Sequence, residues 1–276
     1  MPEFGPLVSP EWLNDHLHDP DLRVVDLRWY LDGRSGRAAY EGGHIPGAVF
    51  VDLESELSRR DGPGRHPLPE RGRFAAAMRR AGVGRSTRVV GYDDVSGSVA
   101  ARLWWLLRHF GHRAQAILDG GIRVWPGELE PGTNRVPPGD FSAARPRPGE
   151  VADFEAVRDR PDGVLVLDAR LPKRYRGEEE PVDPRAGHIP GARSAFWRGN
   201  LDAGGRFLDP GSLRRHYAEL GVDDGRRVIA QCGSGVNACH LVLALELAGL
   251  PGGRLYEGSW SDWSRRDAPL ATGPEP

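Results

Sequence analysis

One order of segments occurs twice in these 276 residues, and this duplication constrains the fold more than any other feature. The run Leu165-Val166-Leu167-Asp168-Ala169-Arg170 repeats Val24 to Arg28, and Gly187-His188-Ile189-Pro190-Gly191-Ala192 repeats Gly43 to Ala48. Further on, Arg227-Val228-Ile229 repeats Arg88-Val89-Val90, and Glu257-Gly258-Ser259-Trp260 falls opposite Asp119-Gly120-Gly121-Ile122. In each copy short β-prone runs alternate with helical patterns, an order that builds a parallel sheet covered by helices. The sequence therefore predicts two tandem α/β domains, over residues 1–128 and 149–276, each a mostly parallel sheet flanked by helices on both faces. Residues 129–148, rich in Pro, Gly and Arg without periodicity, read as an extended interdomain linker.

The two copies serve as controls for one another. What both hold is needed by the fold; what only one holds is a candidate for function. The Asp-x-Arg pairs at the strand ends, Asp26/Arg28 and Asp168/Arg170, are shared and read as structural clamps. A cysteine is not shared. Gln231-Cys232-Gly233-Ser234-Gly235-Val236-Asn237 follows a short apolar strand and enters the apolar helix that starts near Ala238. Two glycines let the backbone curl until successive N–H groups point inward, and the helix dipole adds to them. Such a nest favours negative charge and so stabilises a thiolate, the nucleophilic form of Cys232. By strand register the first copy has Asp93 there, which cannot do thiol chemistry, so the first domain is expected to be inert. Arg174 is also unmatched, with Asp32 opposite it, and Trp260 is aromatic only in the second copy. Asn237 is expected to cap the helix. Cys239 reads as helix packing, and Trp104 and Trp105 as core.

Composition narrows the classes. Lys+Arg 37 against Asp+Glu 39 gives a net charge of −2, with no basic footprint for nucleic acid. The apolar run near Leu241 to Leu250 is too short to span a bilayer, and the first residues lack a charged-then-apolar targeting pattern. Two cysteines make neither a disulfide framework nor a zinc site. The expectation is a cytoplasmic protein, a monomer or weak homo-oligomer.

Three segments resemble the tandem-domain rhodanese-type sulfurtransferases, the family of thiosulfate and 3-mercaptopyruvate sulfurtransferases. They are Tyr40-x-x-x-His44-Ile45-Pro46-Gly47-Ala48, the loop Cys232-Gly233-Ser234-Gly235-Val236, and Tyr256-Glu257-Gly258-Ser259-Trp260-Ser261-Asp262-Trp263. The resemblance implies a persulfide on Cys232, loaded from a small-molecule sulfur donor and discharged to cyanide, to a thiol or to a thioredoxin-like protein, with neither half-reaction needing a metal or organic cofactor. It makes Arg174 a substrate-binding residue, with the N–H groups of Gly233, Gly235 and Val236 around the anionic sulfur. Ser234 would hydrogen-bond the donor. His44 is similar to a residue that reaches the active site in mercaptopyruvate enzymes, and Arg185 is the candidate for their second carboxylate-binding arginine. Gly233 and Ser234 put no positive side chain beside Cys232, which argues for 3-mercaptopyruvate as donor, with thiosulfate as the alternative. A non-catalytic rhodanese-like interaction module would be expected to lose the cysteine. A cysteine phosphatase needs Cys-x5-Arg, and Ala238 stands where that arginine would be.

Overall fold

The run Leu22-Arg23-Val24-Val25-Asp26 is almost wholly buried, as a strand must be when helices cover both faces of its sheet. It is one of ten strands in a computed structural model that describes residues 4–224 and 227–276; these form two sheets. The first unit holds, in chain order, β1 (Leu7–Val8), α1 (Pro10–His16), β2 (Leu22–Asp26), α2 (Gly36–Gly42), β3 (Val49–Phe50), α3 (Arg71–Arg80), β4 (Arg88–Tyr92), α4 (Ala100–His109) and β5 (Gln115–Leu118). Its strands run β1-β5-β4-β2-β3 and every adjacent pair is parallel. The second unit holds β6 (Val151–Ala152), α5 (Phe154–Arg158), β7 (Leu165–Asp168), α6 (Pro172–Tyr175), β8 (Ala192–Ser194), α7 (Pro210–Glu219), β9 (Val228–Gln231), α8 (Asn237–Leu247), β10 (Arg254–Tyr256) and α9 (Ser259–Trp263). Its order, β6-β10-β9-β7-β8, is the same path in parallel pairing. The duplication in sequence is thus a duplication of topology.

The shared residues explain how each unit closes. Arg28 binds Asp26 at 2.6 Å and the Gly43 carbonyl at 2.7 Å; Arg170 binds Asp168 and the Gly187 carbonyl, both at 2.7 Å. His44 stacks on Tyr40 at 4.1 Å and His188 on Tyr175 at 3.9 Å, each with Nδ1 2.9 Å from that tyrosine's carbonyl. Ser9 caps α1 by accepting from the Trp12 N–H at 3.1 Å.

The division into units does not follow the sequence midpoint. Residues 129–147 lie on the first unit, where the buried Phe141 packs edge-on against Phe74 and the Phe141 N–H meets the Val83 carbonyl at 3.2 Å. Arg60–Leu68 belongs to the second unit, and Gly204–Arg206 to the first. Each half of the sequence lends a short segment to the other half's unit.

Candidate active site

Between β9 and α8 the chain turns through residues 232–236, and the C-terminal segment pins that turn. The Cys232 N–H donates to Ser259 Oγ at 3.1 Å. The Cys232 and Gly233 carbonyls accept from the N–H groups of Trp260 and Ser261, both at 2.9 Å. Gly235 has φ +77°, and a Cβ there would stand 2.6 Å from the Glu257 carbonyl oxygen. Ser259 itself has φ +51°, in the left-handed region where its counterpart Gly121 has φ +68°. The second unit thus accepts a strained serine, whose hydroxyl holds the cysteine's backbone. Asn237 does not cap the helix: it is the first residue of α8, Val236 is at the cap position, and no side chain bonds the exposed N–H groups.

In the first unit a longer loop joins β4 to α4 at the corresponding place. Asp93, fully buried, accepts from the N–H groups of Val95 at 2.8 Å, Gly97 at 2.9 Å, Val99 at 2.7 Å and Ala100 at 2.8 Å. Burial pushes its pKa up, against the pull of those four donors. In register, Tyr92 lies beside Asp26 and Gln231 beside Asp168, so the residue after each is equivalent. Cys232 therefore stands where the other unit holds a carboxylate in a ring of N–H groups. Its 2 % exposure keeps the sulfur out of bulk water.

Side chains gather on this loop from two directions. Arg174, at the end of α6, is gripped by Glu180 through Nε at 3.2 Å and Nη2 at 2.6 Å, and by Asp183 through Nη2 at 3.1 Å. Its Nη1 lies 3.5 Å from the place a Gly233 Cβ would occupy. The other direction is the segment Arg60–Leu68. His66 Nδ1 lies 2.8 Å from Ser234 Oγ, both groups being buried. The Leu68 N–H donates to Glu257 at 2.7 Å, the Arg65 N–H donates to Ser261 Oγ at 3.0 Å, and the Arg65 side chain pairs with Asp183. Arg65 and His66 lie within residues 1–128, and the sequence reading gave neither a place in the site. The signal that finds them is the duplication itself: Arg65-His66 aligns with Arg206-Phe207, so His66, like Cys232, is unmatched.

The remaining candidates sit elsewhere in the packing. Arg185 donates to the carbonyls of Ser264 at 2.8 Å, Ala268 at 3.0 Å, Trp263 at 3.1 Å and Arg266 at 2.6 Å, which occupies four of its five N–H groups. Its own carbonyl accepts from Trp260 Nε1 at 2.9 Å. This is the geometry of a clasp on the end of α9. His44 is fully buried within the first unit, with Nε2 3.0 Å from Asn134 Nδ2. The thiol of Cys239 donates to the Gly235 carbonyl at 3.3 Å from inside α8. Among the described residues no group of three or more His, Cys, Asp or Glu side chains is arranged to hold a metal ion.

The model of the rhodanese-like domain matches residues 9–128 and again residues 150–266. The chain belongs to the rhodanese family. A Pseudomonas aeruginosa protein, provisionally named a 3-mercaptopyruvate sulfurtransferase, is 44% identical over 97% of this chain and 98% of its own. A Mycobacterium tuberculosis protein, provisionally named thiosulfate sulfurtransferase SseB, is 42% identical over 89% of this chain and 88% of its own. Among solved structures, SseA from Escherichia coli, described as a rhodanese-fold 3-mercaptopyruvate sulfotransferase, superposes with a TM-score of 0.82 at 35% identity. That match covers 92% of this chain and 98% of SseA. With relatives of this kind along nearly its whole length, this rhodanese is an enzyme of sulfur transfer.

Proposed function

We propose that this rhodanese takes a sulfur atom from 3-mercaptopyruvate, holds it as a persulfide on Cys232, and passes it to cyanide or a thiol, a thioredoxin-like protein included. The observation that carries this reading is the ring of N–H groups around Asp93. At the equivalent strand end the second unit carries a buried thiol on a shorter loop that runs into α8, and a thiolate or persulfide there would draw on the loop and helix-start N–H groups. In the first half-reaction the Cys232 thiolate attacks the donor sulfur. The new S–S bond forms as the C–S bond breaks, and the released electron pair goes to the methylene carbon of pyruvate enolate. The donor's thiol proton ends on that carbon, giving pyruvate, so no oxidant is consumed. Ser234, with His66 at 2.8 Å, is a hydroxyl able to relay that proton. Arg174 pairs the donor carboxylate. In the second half-reaction the acceptor attacks the outer sulfur and the Cys232 thiolate leaves, a ping-pong sequence.

Free thiols at Cys232 and Cys239 support a reducing, cytoplasmic setting. No helix among the described residues is long and apolar enough to cross a membrane. The packing of His44 and Arg185 supports structural roles for both, outside donor binding. The test is intact mass after incubation with 3-mercaptopyruvate and removal of excess donor. One added sulfur is expected, released as thiocyanate on adding cyanide and lacking in Cys232→Ser. A chain that gains no sulfur, or gains it equally without Cys232, overturns the reading.

A further inference from the structure

We infer that Arg65 is the second anion-binding arginine of the donor site and the residue that sets how well a dianionic donor is used; this rests on the function proposed above. The sequence puts no positive side chain next to Cys232 along the chain. The fold puts one there from a distance. A Cβ on Gly233, the residue after the nucleophile, would stand 3.0 Å from Arg65 Nη2 and 3.5 Å from Arg174 Nη1. Two guanidinium groups therefore converge on the bare backbone of the loop, and a side chain at position 233 would fill the gap they share.

The way the two arginines are held gives the direction of their free edges. Asp183, with no side-chain exposure, takes Arg65 through Nη1 on one carboxylate oxygen and Arg174 through Nη2 on the other. Glu180, 3 % exposed, takes the Nε and Nη2 of Arg174. This leaves Nη1 of Arg174 and both Nε and Nη2 of Arg65 without a hydrogen-bond partner among the described residues, and Arg65 Nε is buried as well. Of these only Arg65 Nε is buried, where an unpaired N–H is costly; Nη2 of Arg65 and Nη1 of Arg174 stand open to an acceptor at Gly233. A carboxylate or sulfonate oxygen placed over Gly233 reaches both cations, and a donor anion held there has its sulfur beside Cys232. Asp183 and Glu180 act as positioning residues: each fixes an arginine by one edge and leaves the other for substrate.

The chemistry separates donors by charge. Thiosulfate carries two negative charges and no carbonyl or thiol for Ser234, so its binding depends on cations; 3-mercaptopyruvate carries one charge and has further handles. With Arg65 in place, thiosulfate is a competent second donor: Cys232 attacks its outer sulfur, the S–S bond breaks, and sulfite leaves with the electron pair. A hydrogen bond between charged partners is worth about tenfold or more in binding. Removing Arg65 should then lower kcat/KM for thiosulfate at least tenfold, mainly through KM, and lower it less for 3-mercaptopyruvate.

The experiment compares wild type, Arg65→Ala, Arg65→Lys, Asp183→Asn and Arg65→Ala/Asp183→Asn. Each is assayed with both donors and cyanide, and for protection of Cys232 from iodoacetamide by sulfite, a probe that requires no turnover. The expected result is a KM-dominated loss in Arg65→Ala that is larger for thiosulfate, partial recovery in Arg65→Lys, weaker sulfite protection, and unchanged alkylation without sulfite. Recovery of Arg65→Ala on adding Asp183→Asn would show that Arg65 merely neutralises Asp183, and would overturn the inference. So would equal kcat losses for both donors, or undiminished sulfite protection. If the wild type moved no sulfur from either donor, the proposed function would fail. The sulfite arm would then still decide whether Arg65 binds an anion.

Discussion

At residue 93 and at residue 232 the two units place different side chains at the same strand end. In the first unit a carboxylate uses four N–H donors and is chemically finished. In the second a thiol stands at that position, and the function proposed above makes it the sulfur carrier. Two outcomes follow from this pair. Cys232→Ser should abolish persulfide formation, read as loss of the added sulfur by intact mass. Asp93→Ala should keep the added sulfur and most of kcat, because it touches no donor, but should lower stability. Four N–H groups lose their acceptor, three of them buried, and orphaned buried groups cost about 1–3 kcal/mol each, so a loss of at least about 2 kcal/mol in urea unfolding is expected. Asp93→Ala with unchanged stability would show that water serves those donors as well as the carboxylate does. Of the site, Cys232 and Arg174 are legible in the sequence because each lacks its match in the other copy. His66 lacks one too, but the segment around it carries no strand or helix period to align. Ser234 and His66 meet across 168 positions, and nothing local records that meeting.

At the scale of elements, the strand, turn and helix around Cys232 are readable because each is specified by neighbours in the chain. Val228-Ile229-Ala230 is short and apolar, and the run after Ala238 is apolar on every face, which makes it a buried helix. The staple on the turn is not readable that way, since it comes from the far side of α8. Gly258-Ser259-Trp260-Ser261 supplies donors to Cys232 and Gly233 and an acceptor to the Cys232 N–H. Its fit fixes what Gly235 can be. Gly235→Ala should clash with the Glu257 carbonyl and hold a strained φ, whereas Gly252→Ala meets nothing within 4 Å and bears the strain alone. The first is expected to cost kcat/KM a hundredfold or more, the second to cost only about 1–2 kcal/mol of stability with kcat/KM intact. Ser259→Gly should relieve strain while releasing the Cys232 N–H. Its expected signature is unchanged or higher stability in urea with kcat reduced several-fold. A variant both less stable and fully active would mean that the Ser259 hydroxyl serves the fold alone.

For the molecule as a whole, the duplication tells only part of the story, because the units trade segments. Residues 148–276 contain Cys232, the proposed nucleophile, with Ser234 and Arg174, and Asp183 and Glu180 to hold that arginine. They do not contain Arg65 or His66, which reach the second unit on Arg60–Leu68. Gly64, at φ +75°, packs against the Gly258 carbonyl and Ser261 Oγ, so this segment also backs the staple on the catalytic turn. A polypeptide of residues 148–276 made alone should therefore bury less around Ser234 and Asp183 and unfold at lower urea. It should also transfer sulfur poorly. Each missing contact to a charged group is worth about 1.5–3 kcal/mol, and about 1.4 kcal/mol is tenfold, so kcat/KM should fall a hundredfold or more with 3-mercaptopyruvate. Mixing in residues 1–147 as a second polypeptide should restore activity in proportion to complex formed, while the same fragment carrying His66→Ala and Arg65→Ala should not. If residues 148–276 alone load and discharge sulfur at the full-length rate, the segment is dispensable, and the roles given to His66 and Arg65 fall together.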